Sequence, residues 1–264
     1  MKFLISDMDG TLLNDNKEID LDFIALIDKL KALDIKVGIA SGRQYENLKK
    51  SFNRNYKDML FICDNGAISY MNDEIIDKNP LDIEDILMID KLINKYPSLS
   101  LIMCGIKASY LNSDDEMVIN NAKMYCYNLG KYSSVEDVLK NDEIIKLAIF
   151  DKEYDIKDKY EDFIYLKNRL NITVSAKEWM DFTRLNVNKG QAFKKIKDRY
   201  NLSDRDCYVF GDYDNDITIL KEAYYSFAME NATENVKKVA NFRADSNQNR
   251  GVSKKIIELF NLWN

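Results

Sequence analysis

At both ends of this chain, short apolar runs of strand character alternate with segments that are apolar at helical spacing. That alternation constrains the fold more than any other feature. Phe3–Ser6 reads as a strand, and Asp20–Leu33 as a helix carrying Leu21, Ile24, Leu26, Ile27, Leu30 and Leu33 at helical intervals, with Asp20 as its cap. Ile35–Ala40 is a second strand, Ser41-Gly42-Arg43 leads into a short helix, and a third strand, Leu60–Cys63, ends at Asp64-Asn65-Gly66. Ala67–Tyr70 and Ile75–Ile76, separated by Asn72-Asp73, read as a hairpin. After Lys189-Gly190 the rhythm resumes with a helix at Gln191–Tyr200, a strand at Cys207–Phe210, a helix, a strand at Ser226–Met229, and helices at Thr233–Val239 and Val252–Leu262. Strand–helix–strand order of this kind builds a parallel sheet with helices over its faces.

Between these ends the pattern changes. The spacing predicts a helix at Ile83–Tyr96, a strand at Leu99–Cys104, a helix at Ser113–Leu129, a strand at Ile145–Phe150, a helix at Asp155–Leu170 and a hairpin at Ile172–Thr183. Such a mixture suits a separate α+β domain of about a hundred residues. The chain has 264 residues, which at roughly 150 per domain suggests two. The expected organisation is one parallel α/β core, residues 1–80 and 185–264, interrupted by an inserted α+β domain at residues 81–184.

Composition excludes several functions. The net charge of −6 offers no basic stripe for nucleic acid. Histidine is absent, which removes Ser-His and Cys-His catalysis and imidazole zinc sites. Carboxylates, lysine and hard metals such as magnesium are left. Cys63, Cys104, Cys126 and Cys207 are scattered with no C-x-x-C pair, and read as reduced, buried thiols. No run of about 18 apolar residues spans a membrane, and the first residues lack a signal-peptide core. A cytoplasmic protein is expected, with no nucleic-acid, membrane or protein partner.

Four motifs then share one placement, just past a strand or at a helix start. The first strand runs into Asp7-Met8-Asp9-Gly10-Thr11. Residues at i and i+2 of an extended segment face the same way, and two carboxylates so placed repel unless a cation or proton intervenes. A solvated turn, with Asp-Gly as a common hairpin dipeptide, is the alternative reading of the run. A calcium loop does not, because glycine comes fourth rather than sixth and no glutamate closes it. Gly211-Asp212-Tyr213-Asp214-Asn215-Asp216 fails the same test, with Ile217 and Ala223 where glycine and glutamate belong. Its carboxylates suit magnesium held through oxygen. Ser41-Gly42 offers a hydroxyl and free backbone N–H groups, either as a phosphate seat or as an ordinary helix cap. Lys189 alone reads as a solvated surface charge; placed beside four carboxylates and an anionic substrate it would neutralise a transferring phosphoryl group. In open α/β sheets such loops gather at the carboxyl ends of the strands.

Together with Asn188-Lys189-Gly190 and Ser41-Gly42-Arg43, these runs resemble the four ordered motifs of the haloacid dehalogenase-like superfamily, and are similar to its Cof-type sugar-phosphate phosphatases. Asn65-Gly66-Ala67, Ala228-Met229-Glu230-Asn231-Ala232 and Asn247 through Val252 resemble that branch's secondary patterns. The resemblance implies a Rossmann-like parallel core with an inserted α+β cap, and a magnesium-dependent phosphatase acting on a small phosphorylated metabolite. It implies Asp7 as nucleophile forming an aspartyl-phosphate, and Asp9 as general acid and base. Asp7, the backbone carbonyl of Asp9, Asp212 and Asp216 would hold the metal. Ser41 and Lys189 would hold the phosphoryl oxygens, with Gly10, Gly42, Arg43 and Asn215 as further phosphate or substrate contacts. Asn215 would support Lys189 or its loop. A phosphomutase and a non-catalytic phosphometabolite-binding protein are the rival readings. Two departures stand out: Glu230 replaces a usual glycine, and Tyr213-Asp214 replaces a small polar residue and glutamate. Tyr110, Lys177, Trp179 and Arg184 are nominated as substrate contacts from the cap.

Overall fold

The computed structural model describes residues 1–52 and 56–262. It divides into two units, Met1–Asp77 with Asn188–Asn264, and Lys78–Val187.

The first unit holds an eight-stranded sheet ordered β14-β13-β12-β1-β2-β3-β4-β5. Its strands are β1 (Lys2–Ser6), β2 (Ile35–Ala40), β3 (Leu60–Cys63), β4 (Ile68–Met71), β5 (Glu74–Lys78), β12 (Cys207–Gly211), β13 (Tyr225–Met229) and β14 (Phe242–Ala244). Parallel pairing runs from β14 through β3, and β4 turns back antiparallel against β3. The central strands are apolar without alternation, because helices cover both faces of a parallel sheet. Phe3, Leu4, Ile5, Leu60, Ile62, Val209 and Phe210 are all buried. Each such side chain contributes about 1.5–3 kcal/mol when fully removed from water.

The helices of this unit are α1 (Leu21–Ala32), α2 (Tyr45–Ser51), α7 (Lys189–Tyr200), α8 (Ile217–Leu220), α9 (Glu234–Val239) and α10 (Gly251–Phe260). Asp20 caps α1 by accepting from the Asp22 N–H, and Phe23, Leu26, Ile27 and Leu30 form its buried face. Leu21 and Leu33, expected in that stripe, are exposed; Leu21 opens the helix and Leu33 already lies at its C-cap. Asn188 caps α7 through the Gln191 N–H, and Asn201 ends it in the left-handed conformation. β14 has no counterpart in the sequence reading. It is a three-residue edge strand, and short edges carry little periodic signal.

The second unit holds a six-stranded sheet ordered β10-β11-β9-β6-β7-β8. Its strands are β6 (Leu99–Gly105), β7 (Ser109–Leu111), β8 (Leu129–Lys131), β9 (Ile144–Asp151), β10 (Leu170–Val174) and β11 (Trp179–Arg184), with helices α3 (Ile83–Ile93), α4 (Glu116–Tyr125), α5 (Val135–Asn141) and α6 (Ile156–Tyr160). Alternate residues of the central strands feed two apolar clusters. Leu101, Met103, Leu147, Ile149, Met180 and Phe182 join the larger. Ile102, Cys104, Ala148, Phe150 and Trp179 pack with Val118 and Ala122 of α4 in the smaller.

Here the structure corrects two sequence expectations and adds a helix. The helix expected at Ser113–Leu129 is only α4; Cys126 is extended, and Leu129 opens β8, which pairs with β7. The helix expected at Asp155–Leu170 breaks into α6 and a 3₁₀ turn at Ile164–Asn168. Tight winding eclipses residues three apart, and it buries Phe163 and Leu166 together. The short α5 was not anticipated; Ser134 caps it and only Val135 and Val138 are buried.

Asp151 ends β9 in the interior of this unit, wholly buried. It accepts from Lys159 Nζ at 2.7 Å and from the N–H groups of Glu153 and Asp155 at 3.2 and 3.1 Å. Burial favours its neutral form, but the Lys159 hydrogen bond and these donors prevail and hold its carboxyl below the usual value. A depressed carboxylate stabilises the fold above its unfolded pKa and loses that contribution as pH falls through the folded one. Asp151→Asn is therefore expected to cost about 2–3 kcal/mol near pH 7. In urea titrations its deficit against the parent protein should shrink as the pH is lowered below about 4.

Candidate active site

Parallel register sets the site. β12, β1, β2 and β3 lie side by side, so the segments leaving their carboxyl ends share one rim. Asp7 follows β1, its N–H bonded to the Phe210 carbonyl of β12 at 3.1 Å. Lys189 opens α7 with no exposed surface, and its ammonium donates to Asp7 Oδ1 and Asp216 Oδ1, each at 2.6 Å. Asp216 uses its other oxygen to accept from the N–H groups of Asp212 and Tyr213, at 3.1 and 3.2 Å. Asp212 accepts from Thr11 Oγ1 at 2.7 Å. One ligand atom from each of Asp7, Asp212 and Asp216 lies within 4.8 Å of the others.

Gly10 makes this packing possible. Its φ is +81°, and a Cβ there would stand 2.3 Å from Asp212 Oδ2. Only glycine turns the chain this way at so close an approach without strain. The Gly10 carbonyl accepts from Asn231 Nδ2 at 2.7 Å, and Asn231 Oδ1 accepts from the Asn247 N–H. Asn231 therefore reaches the loop with Glu230 preceding it.

The electrostatics are those of a crowded anionic site. Burial pushes the Asp7 carboxyl up to about 8, against the pull of Lys189 and with repulsion from Asp216 and Asp212 adding to it. Asp212 rises to about 6, mainly through burial, with the Thr11 bond opposing and the Asp216 charge adding. Lys189 is pushed upward: burial alone would lower it, but Asp216 and Asp7 outweigh that. With all three carboxylates deprotonated, the one ammonium leaves a net charge of −2. A divalent cation with oxygen ligands fits that donor set. Because ligands must be deprotonated to bind a metal, magnesium affinity is expected to rise with pH between about 6 and 8. Calorimetric titrations in buffers of different ionisation enthalpy should show protons released on binding.

Asp9 stands apart from that cluster. Arg43 grips its carboxylate with a fork, Nε to Oδ2 at 2.8 Å and Nη2 to Oδ1 at 2.7 Å, and Lys17 Nζ adds a contact at 3.1 Å. Burial alone would raise the Asp9 carboxyl, but Arg43 and then Lys17 hold it below its usual value. Arg43 thus meets Asp9, where the sequence suggested a phosphate contact.

Ser41 is buried just past β2. It caps no helix, because α2 begins at Tyr45 with Gln44 at the cap. Its hydroxyl instead accepts from the Arg43 N–H at 3.2 Å. Asn215 donates to Asn65 Oδ1 at 3.1 Å, so its tie is to the loop after β3, not to Lys189. Tyr213 is exposed, and Asp214 accepts from Thr233 and Asn235 at 2.8 and 3.0 Å.

Of the residues nominated in the inserted region, Trp179 is core, packed on Phe150 with ring centroids 5.0 Å apart. Tyr110 donates its hydroxyl to Asp142 at 2.9 Å, Arg184 donates to the Pro80 carbonyl at 3.2 Å, and Lys177 is exposed. Sequence reasoning gave no role to Thr11, Lys17, Asn65 or Asn231. Thr11 and Asn65 lie inside runs already singled out, whereas Lys17 carries no pattern that marks it.

The sequence model of the haloacid dehalogenase-like hydrolase family matches residues 4–256. The chain belongs to this family, and it is an enzyme of the phosphatase type. It is 27% identical to the 5-amino-6-(5-phospho-D-ribitylamino)uracil phosphatase YbjI of Escherichia coli, over 96% of this chain and 93% of that one. It is 26% identical to the 5-amino-6-(5-phospho-D-ribitylamino)uracil phosphatase YitU of Bacillus subtilis, over 97% of this chain and 96% of that one. Among solved structures, SMU.1108c of Streptococcus mutans superposes with a TM-score of 0.84 at 29% identity, covering 99% of each chain. TM0651 of Thermotoga maritima gives 0.87 at 26% identity and 97% coverage of each. No helix among the described residues is long and apolar enough to cross a membrane.

Proposed function

We propose that this protein is a magnesium-dependent phosphatase that hydrolyses a small phosphorylated metabolite, a sugar phosphate or similar phosphomonoester, through an aspartyl-phosphate at Asp7. The observation that carries the reading is Lys189, wholly buried and bonded at 2.6 Å to both Asp7 and Asp216. A fully buried lysine ammonium is costly unless paired, and here it neutralises carboxylates at the point where an anionic phosphoryl group would arrive.

The Asp7 carboxylate attacks phosphorus while Lys189 holds it in place and offsets the negative charge of the phosphoryl oxygens. The Ser41 hydroxyl supplies a further donor to those oxygens. Asp9 would deliver a proton to the departing alkoxide and then take one from the water that hydrolyses the phosphoenzyme. That requires the Arg43 fork to open as substrate binds, because Arg43 and Lys17 otherwise keep its carboxylate ionised. Arg43 and Lys17 fix the Asp9 carboxylate. Asp7, Asp212 and Asp216, with the Asp9 carbonyl, would hold magnesium, which when bound neutralises charge on the transferring group. The substrates of the Escherichia coli and Bacillus subtilis relatives make a phosphorylated ribityl or sugar alcohol a sensible first candidate.

The test is a screen of sugar phosphates, sugar-alcohol phosphates and nucleotides for phosphate release, with magnesium and with excess chelator. Magnesium-dependent release from at least one member is expected. Silence across the panel, or release unaffected by the chelator, would sink the proposal; isomerised product without free phosphate would identify a mutase.

A further inference from the structure

The segment after β3 contains three successive residues with positive φ: Asp64 at +47°, Asn65 at +56° and Gly66 at +100°. Left-handed conformation is uncommon for residues with a side chain, though Asn and Asp tolerate it best. A run of three that the surroundings over-determine is a reason to look for function. The surroundings here do determine it. The Asn65 N–H donates to the Ser41 carbonyl at 2.9 Å, and the Asp64 N–H donates to the Arg43 carbonyl at 3.1 Å. A Cβ on Gly66 would lie 2.4 Å from the Asn188 carbonyl, so the turn presses directly on the residue that caps α7 ahead of Lys189.

The Asn65 side chain completes the connection. Its Oδ1 accepts from Asn215 Nδ2 at 3.1 Å, reaching the loop that carries Asp212 and Asp216. Its Nδ2 lies against the bare Gly42 backbone, 3.2 Å from where a Cβ would stand. One residue thus touches the Ser41-Gly42 turn through its backbone and amide, and the aspartate loop through its carbonyl oxygen.

We propose that Asn65 is a positioning residue of the active site, fixing the spacing between the Ser41-Gly42 turn that receives phosphate and the Asp212–Asp216 loop that receives the metal. This rests on the phosphatase reading given above. Asn65 acts through its neighbours, and its contribution appears in how tightly a phosphoryl group is held.

Asn65→Gly is the informative variant, because glycine keeps the positive φ and removes only the side chain. Orthovanadate, a phosphoryl mimic, serves as the probe, with binding measured calorimetrically in the presence of magnesium. Vanadate affinity and kcat/KM are each expected to fall about tenfold in Asn65→Gly, with an unchanged unfolding midpoint. Asn215→Ala should reproduce much of that loss, and the double variant should be no worse than the poorer single one, as coupled partners behave. Unchanged vanadate affinity in Asn65→Gly, or losses that multiply in the double variant, would overturn the proposal. Should Asn65→Gly fail to fold, Asn215→Ala decides alone, since it breaks the same bond from an exposed side chain. If the parent protein binds vanadate but releases no phosphate from any substrate, the phosphatase reading fails while the coupling can still be measured.

Discussion

Asp7→Asn is expected to lose phosphate release by about ten-thousand-fold or more, the scale on which an enzyme loses activity with its nucleophile. The amide has nearly the same shape and can still accept from Lys189, but it cannot form the acyl phosphate. The same change should leave the metal-free protein at least as stable as before. The Asp7 carboxyl is raised to about 8 by burial, so the folded state holds that proton more tightly than the unfolded chain does. A raised carboxyl pKa means stability falls as pH climbs from about 4 toward 8, and the neutral amide escapes that loss. Activity and unfolding should therefore separate in assays of phosphate release and thermal denaturation near pH 7.5. A variant that is inactive because it is unfolded would refute the account, as would one retaining parental turnover.

Lys189→Met should damage both properties together. Methionine fills similar volume but leaves Asp7 and Asp216 facing each other without the cation that each contacts at 2.6 Å. Removing one partner of a buried ion pair typically costs about 3–5 kcal/mol. In a chain of this size each kcal/mol shifts the unfolding midpoint by about 2–4 °C, so a fall of about 10 °C is expected without metal. Phosphate release should drop about a thousandfold, the loss of one strong electrostatic stabiliser of the transition state. Magnesium should recover more stability in the variant than in the parent, because the net charge around the ion becomes −3 instead of −2. Scans with and without magnesium would show this, and equal shifts would argue that Lys189 does not share the site with the ion.

The parallel sheet was legible because its central strands are unbroken apolar runs. Phe3–Ser6, Ile35–Ala40 and Cys207–Phe210 have no other economical burial than between two layers of helices. The inserted unit was read less well. Helical spacing persisted past Tyr125 and Tyr160, but Leu129 obeys sheet pairing with β7, and buried Phe163 and Leu166 obey a tight winding, that periodicity does not encode. In the candidate site, Asp7, Asp212, Asp216 and Lys189 were all marked by their position after strands or at a helix start, and the structure brings them together. What stayed hidden were pairings. Arg43 carries nothing in its sequence to say it faces Asp9, and Asn65 and Asn215 meet only because β3 and the aspartate loop end at the same rim. Lys17 sits in a turn of ordinary polar residues.

The hydrogen bond from Thr11 to Asp212 joins residues 201 apart in sequence. β1 cannot find its neighbour β12 until nearly four-fifths of the chain has left the ribosome. Until then β1 presents an unpaired edge beside Asp7, open to the wrong strand of another chain. An inserted unit that collapses early on its local pairings shortens the loop that must be closed, easing an entropy cost that grows with the logarithm of its length. The order in which the protein is made thus favours a chain whose middle folds before its ends meet, and its chemistry can begin only after they do.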